Sequence, residues 1–508
     1  MTLAFPPADL GFLAWVALAP LFWALVNARR PRHAFGLGYL FGVTHWGATI
    51  YWIGTTVVAW THSPIGWIAW MLLTAIKSGW FGLFGVLAWW VGQRTSKSHT
   101  QIARVLGLAA AWTVVEWLRG QTAVAMPWSL SGYTQYRYLT VIQAADLAGV
   151  YAISFGIALV NAAITSVAEF KLLRADHTAD SGQQARTGFS SHSSALPFSL
   201  SALYFAVLLL YGNFALHRSY EGPVAKLALM QPNIGSTRED GVAESEMMAG
   251  YGRMVDGVMS RKHSIFVWPE STASDVTGDN YARNDFEGLA SLTHSFQLVG
   301  TGYKDMEDRV YNSAALFAPT GRLVDRYDKN WLVPMGEWVP MRGLIPFGNV
   351  FHFPEDTTPG TADKILKAGR LRICMLICYE SVFPVVARTR VRDGANLLIL
   401  ITNDSWAGQS SELQQHLAMT AFRAVETRRF VASAATTGMT CLIEPTGAYR
   451  ALPPYQKGVL ECDARLRTGL TPYVRFGDWL VYLCIIGLGV ALFVPPQVKR
   501  NYRRASSS

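Results

Sequence analysis

The sequence predicts a polytopic α-helical membrane domain joined to a layered α/β domain, and three observations predict it. Composition is 51% hydrophobic but only 16% charged, against roughly 25% charged in an ordinary soluble protein. Acidic residues are nearly missing from 1–215 and 475–496, whereas 220–470 has a globular mixture. Apolar runs of spanning length, about 20 residues, recur in the acid-poor parts, and short strand-like runs recur in the mixed part. The resulting division is 1–216 for six spans, 217–474 for the soluble domain, 475–496 for a last span and 497–508 for a basic tail. The 18 Trp and 25 Phe suit a lipid interface.

The spans are expected at 9–27, 35–59, 65–92, 102–119, 141–167, 197–216 and 476–496. Basic residues test this count. Arg29, Arg30 and Arg32 follow the first span, and Arg94, Lys97 and Arg104 lie between the third and fourth. Lys171, Arg174 and Arg186 lie between the fifth and sixth, and Lys499, Arg500, Arg503 and Arg504 follow the last. The alternate loops, 60–64 and 120–140, hold only Arg137. All basic clusters therefore fall on one side, which the positive-inside rule makes cytoplasmic. The net charge of +9 thus reflects topology and not a nucleic-acid face. The N-terminus and 217–474 then lie outside. For an external N-terminus without a cleavable signal peptide, the expectation is either that the first span inserts in that orientation or, the preferred reading, that a further span lies upstream. The polar, Ser/Gly-rich stretch 175–196 is expected to be a disordered loop.

Within the spans, Lys77 is expected to snorkel to the interface. Glu116 and Arg119, three apart on one helix face, are expected either to pair with each other or to position lipid head groups.

The soluble part reads as alternating strands and helices. Strand candidates are 226–230, 264–268, 297–301, 313–317, 371–377, 397–401 and 430–434. Several are continuous apolar runs, as strands covered on both faces should be. Asn233, Glu270, Cys378 and Asn403 closely follow such runs, where layered α/β proteins place their chemistry. The segment 332–363, rich in Pro, Gly and aromatics, is read as a lid or arm.

Three stretches could carry chemistry. In Ile373–Ser381 a buried strand delivers Cys378 at its end, a candidate nucleophile that needs a base or a positive partner. Cys374, inside the strand and four residues away, is expected on the same face as a core residue. The five cysteines have no metal-ligand spacing. In Val267–Ser271 a strand ends in Pro269 and then Glu270, a candidate general base. In Tyr327–Trp338 the ammonium of Lys329 could stabilise an oxyanion. Taken singly, each is more often a core thiol, a loop carboxylate or a surface lysine.

Together, Trp268-Pro269-Glu270, Tyr327-Asp328-Lys329 with Pro334-Met335-Gly336-Glu337, and Cys378-Tyr379-Glu380 resemble the nitrilase (carbon–nitrogen hydrolase) superfamily over about 224–465. The resemblance implies an αββα sandwich with a Glu-Lys-Cys triad, and Glu337, Tyr379 and Glu380 as supporting, substrate-binding residues. With the preceding spans, and with Glu116-Trp117-Leu118-Arg119-Gly120, Pro127-Trp128, Asn403–Trp406 and Gly469–Tyr473, the chain looks like an apolipoprotein N-acyltransferase. That resemblance implies an inner-membrane enzyme with its catalytic domain on the periplasmic side. Its donor would be a membrane phospholipid and its acceptor a diacylglyceryl apolipoprotein. It implies a monomer, no metal and no cofactor. Two departures stand out. The family usually has eight spans, and Gly235–Asp240 occupies the place of a usual tryptophan. The rival readings are a membrane-tethered amidase acting on a small C–N substrate and a non-enzymatic polytopic binding protein.

Overall fold

A computed structural model describes residues 1–95, 101–122, 124–180, 192–234, 244–278, 280–339, 342 and 356–493. The expected tail 497–508, the stretch Gly235–Asp240 and most of 340–355 in the expected lid lie outside the described residues. In place of one disordered loop at 175–196, residues 175–180 and 192–196 are helical, and 181–191 lie outside the described residues.

The N-terminal helices depart from the simple span list where protein replaces lipid as neighbour. The expected span 9–27 is split into α1 (Ala14–Ala17) and α2 (Ala19–Val26). The Leu18 N–H donates to Asn161 Oδ1 at 2.8 Å, and Asn161 Nδ2 donates to the Ala14 carbonyl at 2.9 Å. A side chain thus takes over groups that a continuous helix would pair internally. The expected span 35–59 is likewise two helices, α3 (Pro31–Thr49) and α4 (Trp52–Thr61), with the Thr49 carbonyl accepting from Gln415 Nε2 at 3.0 Å. Next come α5 (Ile65–Arg94), unbroken, and α6 (Gln101–Leu118). The expected span 141–167 begins only at Val150. Its first part forms the single turns α7 (Leu139–Ile142) and α8 (Ala145–Ala148), and Gly149 (φ +69°) redirects the chain into α9 (Val150–Asp180). Then follows α10 (His192–Leu216). Among the described residues, Ile65–Arg94, Val150–Ala168 and Leu196–Leu216 are long and apolar enough to cross a membrane, and Trp479–Ala491 is a shorter apolar helix.

The polar residues of these helices also differ from expectation. Lys77 is buried and donates to the Val124 carbonyl at 2.6 Å instead of snorkelling. Glu116 and Arg119 do not pair with each other. Glu116 Oε1 accepts from the Ser131 N–H at 2.7 Å. Arg119 donates to the Trp128 carbonyl and lies 4.6 Å from the Trp46 ring centroid. Both brace the segment after α6.

The remaining helices are α11 (Glu244–Asp256), α12 (Tyr281–Thr293), α13 (Pro384–Arg392), α14 (Glu412–Thr427), α15 (Pro472–Phe476) and α16 (Trp479–Phe493). The strands are β1 (Val224–Gln231), β2 (Ile265–Val267), β3 (Ala273–Asp275), β4 (Phe296–Lys304), β5 (Val310–Phe317), β6 (Leu323–Asp328), β7 (Leu366–Ala368), β8 (Leu371–Ile377), β9 (Leu397–Thr402), β10 (Val431–Ala435), β11 (Cys441–Ile443), β12 (Tyr449–Ala451) and β13 (Gly458–Arg465). They form two sheets. One runs β13-β1-β2-β4-β5-β6 with β3 on β4, and the other runs β12-β11-β10-β9-β8-β7.

Three apolar clusters define the layers. Leu227, Ile265 and Leu298 of the first sheet meet Ile373, Met375 and Ile399 of the second. Met247, Met254 and Phe286 of α11 and α12 cover the other face of the first sheet. The outer face of the second sheet, through Cys374, Leu376 and Leu398, packs on α13 and α14, and the same cluster continues into Trp112, Ile153 and Ala158 of the N-terminal helices. The arrangement is an αββα sandwich with one helical layer fused to the membrane domain.

Candidate active site

Glu270 is set by the end of β2. Pro269 lacks an N–H and cannot extend the ladder, and Ser271 (φ +55°) turns the chain at once. Gly300 on β4 lets this turn approach, because a Cβ there would lie 2.0 Å from the Pro269 carbonyl oxygen and 2.6 Å from Glu270 Cα. Both carboxylate oxygens are held. Oε1 accepts from Asn312 Nδ2 at 2.7 Å and from Lys329 Nζ at 3.3 Å, and Oε2 accepts from the Asn403 N–H at 2.9 Å.

Lys329 follows β6 directly, and its N–H continues the pairing to the Asn312 carbonyl at 2.8 Å. Its side chain is 1% exposed and lies 2.9 Å from Glu337 Oε1. Burial works against the ammonium charge, but Glu270 and Glu337 outweigh it and hold its pKa above the usual lysine value. A lysine in that state is a charge and a donor, not a base. Glu337 closes its own turn, accepting from the Val333 N–H at 2.7 Å through Oε2, while Oε1 also accepts from Asn312 Nδ2 at 2.8 Å.

Cys378 is the first residue past β8 and has φ +48°. A non-glycine residue in this region costs about 1–2 kcal/mol, and the turn changes where the side chain goes. Cys374, in the extended strand, faces the helices, whereas Cys378 lies in the cluster between the two sheets. The same-face expectation for the pair fails because the strand ends at Ile377. The turn is fastened by Glu380. Its Oε2 accepts from the Ile377 N–H at 2.9 Å, and its Oε1 accepts from Tyr327 Oη at 2.6 Å and from the Asn330 N–H at 2.8 Å. One carboxylate therefore ties the segment bearing Lys329 to the turn bearing Cys378. Tyr379 points the other way, and its hydroxyl donates to the Ala125 carbonyl after α6 at 2.7 Å.

Burial, and then the charge of Glu270, push the Cys378 thiol well above its ordinary pKa, while Lys329 pulls it down and Thr402 hydrogen-bonds the sulfur. Glu270, Lys329 and Cys378 thus lie within electrostatic reach of one another. Burial raises Cys374 to about 12. All five cysteines are free.

Sequence reasoning missed Asn312, which bridges Glu270 and Glu337, and Thr402 beside the sulfur. Asn312 had a readable signal: it stands two residues before Ala314, which faces the inter-sheet core, so it continues an inward-facing row. Arg390, buried 4.7 Å from the Tyr327 ring centroid and donating to Tyr327 Oη at 2.7 Å, was also missed.

Residues 1–163 match the family model of the apolipoprotein N-acyltransferase N-terminal domain, and 226–467 match that of carbon-nitrogen hydrolases. An apolipoprotein N-acyltransferase of Geobacter metallireducens is 35% identical, over 96% of this chain and 92% of that protein. One of Pseudomonas syringae pv. tomato is 30% identical, over 97% and 94%. One of Methylococcus capsulatus is 28% identical, over 99% and 95%.

Proposed function

The chain belongs to the apolipoprotein N-acyltransferase family, a family of membrane enzymes that N-acylate lipoproteins, and from that premise we propose that it works by ping-pong transfer through a thioester on Cys378. Glu270 takes the thiol proton as the sulfur attacks an ester carbonyl of a membrane phospholipid. Lys329 and backbone N–H groups after Cys378 stabilise the tetrahedral oxyanion. The C–O bond breaks, the lysophospholipid alcohol takes the proton back from Glu270, and the acyl group stays on sulfur. The α-amino group of a diacylglyceryl-cysteine then attacks the thioester. Its proton goes to Glu270, the C–S bond breaks, and the thiolate is reprotonated. Tyr379 and Glu380 hold the nucleophile turn, and Glu337 keeps Lys329 charged. The location proposed is the inner membrane, with 217–474 on the periplasmic side and the protein a monomer.

The observation that carries this reading is the placing of a buried ammonium 3.3 Å from Glu270 beside a thiol that burial keeps protonated. A resting thiolate is disfavoured, so the base must act as the electrophile arrives. Incubation of the full-length protein with acyl-labelled phospholipid should give label on Cys378 that survives SDS and is released by hydroxylamine. Cys378→Ala abolishes it and Cys374→Ala does not. Wild-type protein that never labels but hydrolyses small amides would replace this reading with a tethered amidase.

A further inference from the structure

Behind the nucleophile runs a second polar chain that the acyl transfer above does not use. Ser381, Asp404, Glu412 and His416 are all buried. The Ser381 hydroxyl donates to the Cys378 carbonyl at 3.1 Å. Its single proton being committed there, Ser381 Oγ accepts from His416 Nε2 at 2.6 Å. The other ring nitrogen faces two carboxylates, with Nδ1 3.7 Å from Asp404 Oδ1 and 3.9 Å from Glu412 Oε1. Burial works against charge on His416, but Asp404 and Glu412 outweigh it. Glu412 is itself pushed up by burial and by Asp404. Asp404 also accepts from the Thr402 hydroxyl at 2.5 Å, and Thr402 reaches the Cys378 sulfur. The chain therefore grips the nucleophile residue at its carbonyl and at its thiol.

Cys378 needs such a grip. Its positive φ is a conformation that the surrounding structure must impose. Relaxation of the turn toward ordinary angles would swing the sulfur away from Glu270. We propose that His416, aligned by Asp404 and Glu412, is a positioning residue that holds the Cys378 turn through Ser381. The proposal rests on the thioester reading above.

The test uses full-length protein in detergent and follows single-turnover formation of hydroxylamine-labile label from acyl-labelled phospholipid. Wild type and Cys378→Ala come first, and label of wild-type size on Cys378→Ala would sink the thioester reading and this proposal with it. Once that control passes, His416→Leu should slow label formation at saturating lipid by about 100-fold, the scale of a misplaced reacting group, with half-saturation unchanged. Ser381→Ala should do the same. His416→Gln, whose amide nitrogen reaches the Nε2 position, should recover most of the rate. Wild-type labelling by His416→Leu would overturn the proposal. So would equal slowing of the Leu and Gln variants with equal loss in melting temperature. A stoichiometric divalent metal in the wild type, lost with Asp404→Asn, would overturn it too, because Nδ1 would then be a ligand.

Discussion

Glu270 shares Asn312 with a second carboxylate, Glu337, so the site holds two acids close together with one ammonium and one amide between them. Removing the amide leaves like charges with one fewer donor. Asn312→Leu should lower the rate of Cys378 acylation roughly 10- to 100-fold while detergent extraction and melting temperature stay near wild type. Glu270→Gln should cost about 10²–10⁴-fold, the range of a lost general base, by the same labelling assay. The thiol gives a pH test with a definite sign. Burial and Glu270 favour its protonated form, so alkylation of the Cys378 peptide by iodoacetamide should keep rising past pH 9 without a plateau. Glu270→Gln removes a raising charge and should shift that profile to lower pH, whereas Lys329→Met should shift it higher. Of the proposed triad, Glu270 and Cys378 were readable in the sequence because each follows an apolar run, and Lys329, which follows the polar β6, only through its motif with Pro334–Glu337. Asn312 was readable only as a member of the inward-facing row that includes Ala314, and Thr402 was not readable, because only the register between strands places it at the site.

At the scale of elements, the seven strand candidates all lie on observed strands, and β8 matches its expected range of 371–377. The strands missed are short, or polar like β6, whose Asp325, Arg326 and Asp328 suit a sheet edge. β13 is the instructive omission. Leu460, Cys462 and Ala464 alternate inward, a period-2 signal that was present. Helix breaks were harder to read. Apolar residues at 139–148 are the same whether they face lipid or protein, and composition cannot tell the two apart. Gly300 offers the sharpest test of an element contact. Gly300→Ala puts a methyl group into the Pro269 backbone and should cost about 1–3 kcal/mol, seen as a lower melting temperature, with acylation falling further than stability alone explains.

In the whole molecule, the helical layer of the second sheet is also the floor of the membrane domain. Arg428 after α14 donates to Asp146 of α8 at 2.9 and 2.8 Å, with both residues buried. Gln415 of α14 accepts from Trp52 at 3.2 Å and from Trp128 at 2.6 Å. Arg428→Leu leaves a buried carboxylate without its main partner and should cost about 3–5 kcal/mol, read by thermal unfolding in detergent. The fragment 217–474 expressed alone should aggregate, because it exposes the outer side of α14, where Tyr133 otherwise packs on Phe422 and Trp128 donates to Gln415. This fusion was not legible in the sequence, since nothing in a linear pattern says which face of an amphipathic helix meets a distant segment.

The hydroxyl of Tyr379, one residue from the sulfur, is fastened to the Ala125 carbonyl beyond α6. The turn that bears the sulfur is therefore moored to the N-terminal helical domain. On the proposed mechanism, delivery falls to the lipid substrates themselves, drifting sideways to a stationary stop. The pace of each proposed half-reaction would then be governed by how many donors or acceptors occupy a unit of membrane area, not by how many are dissolved in a volume.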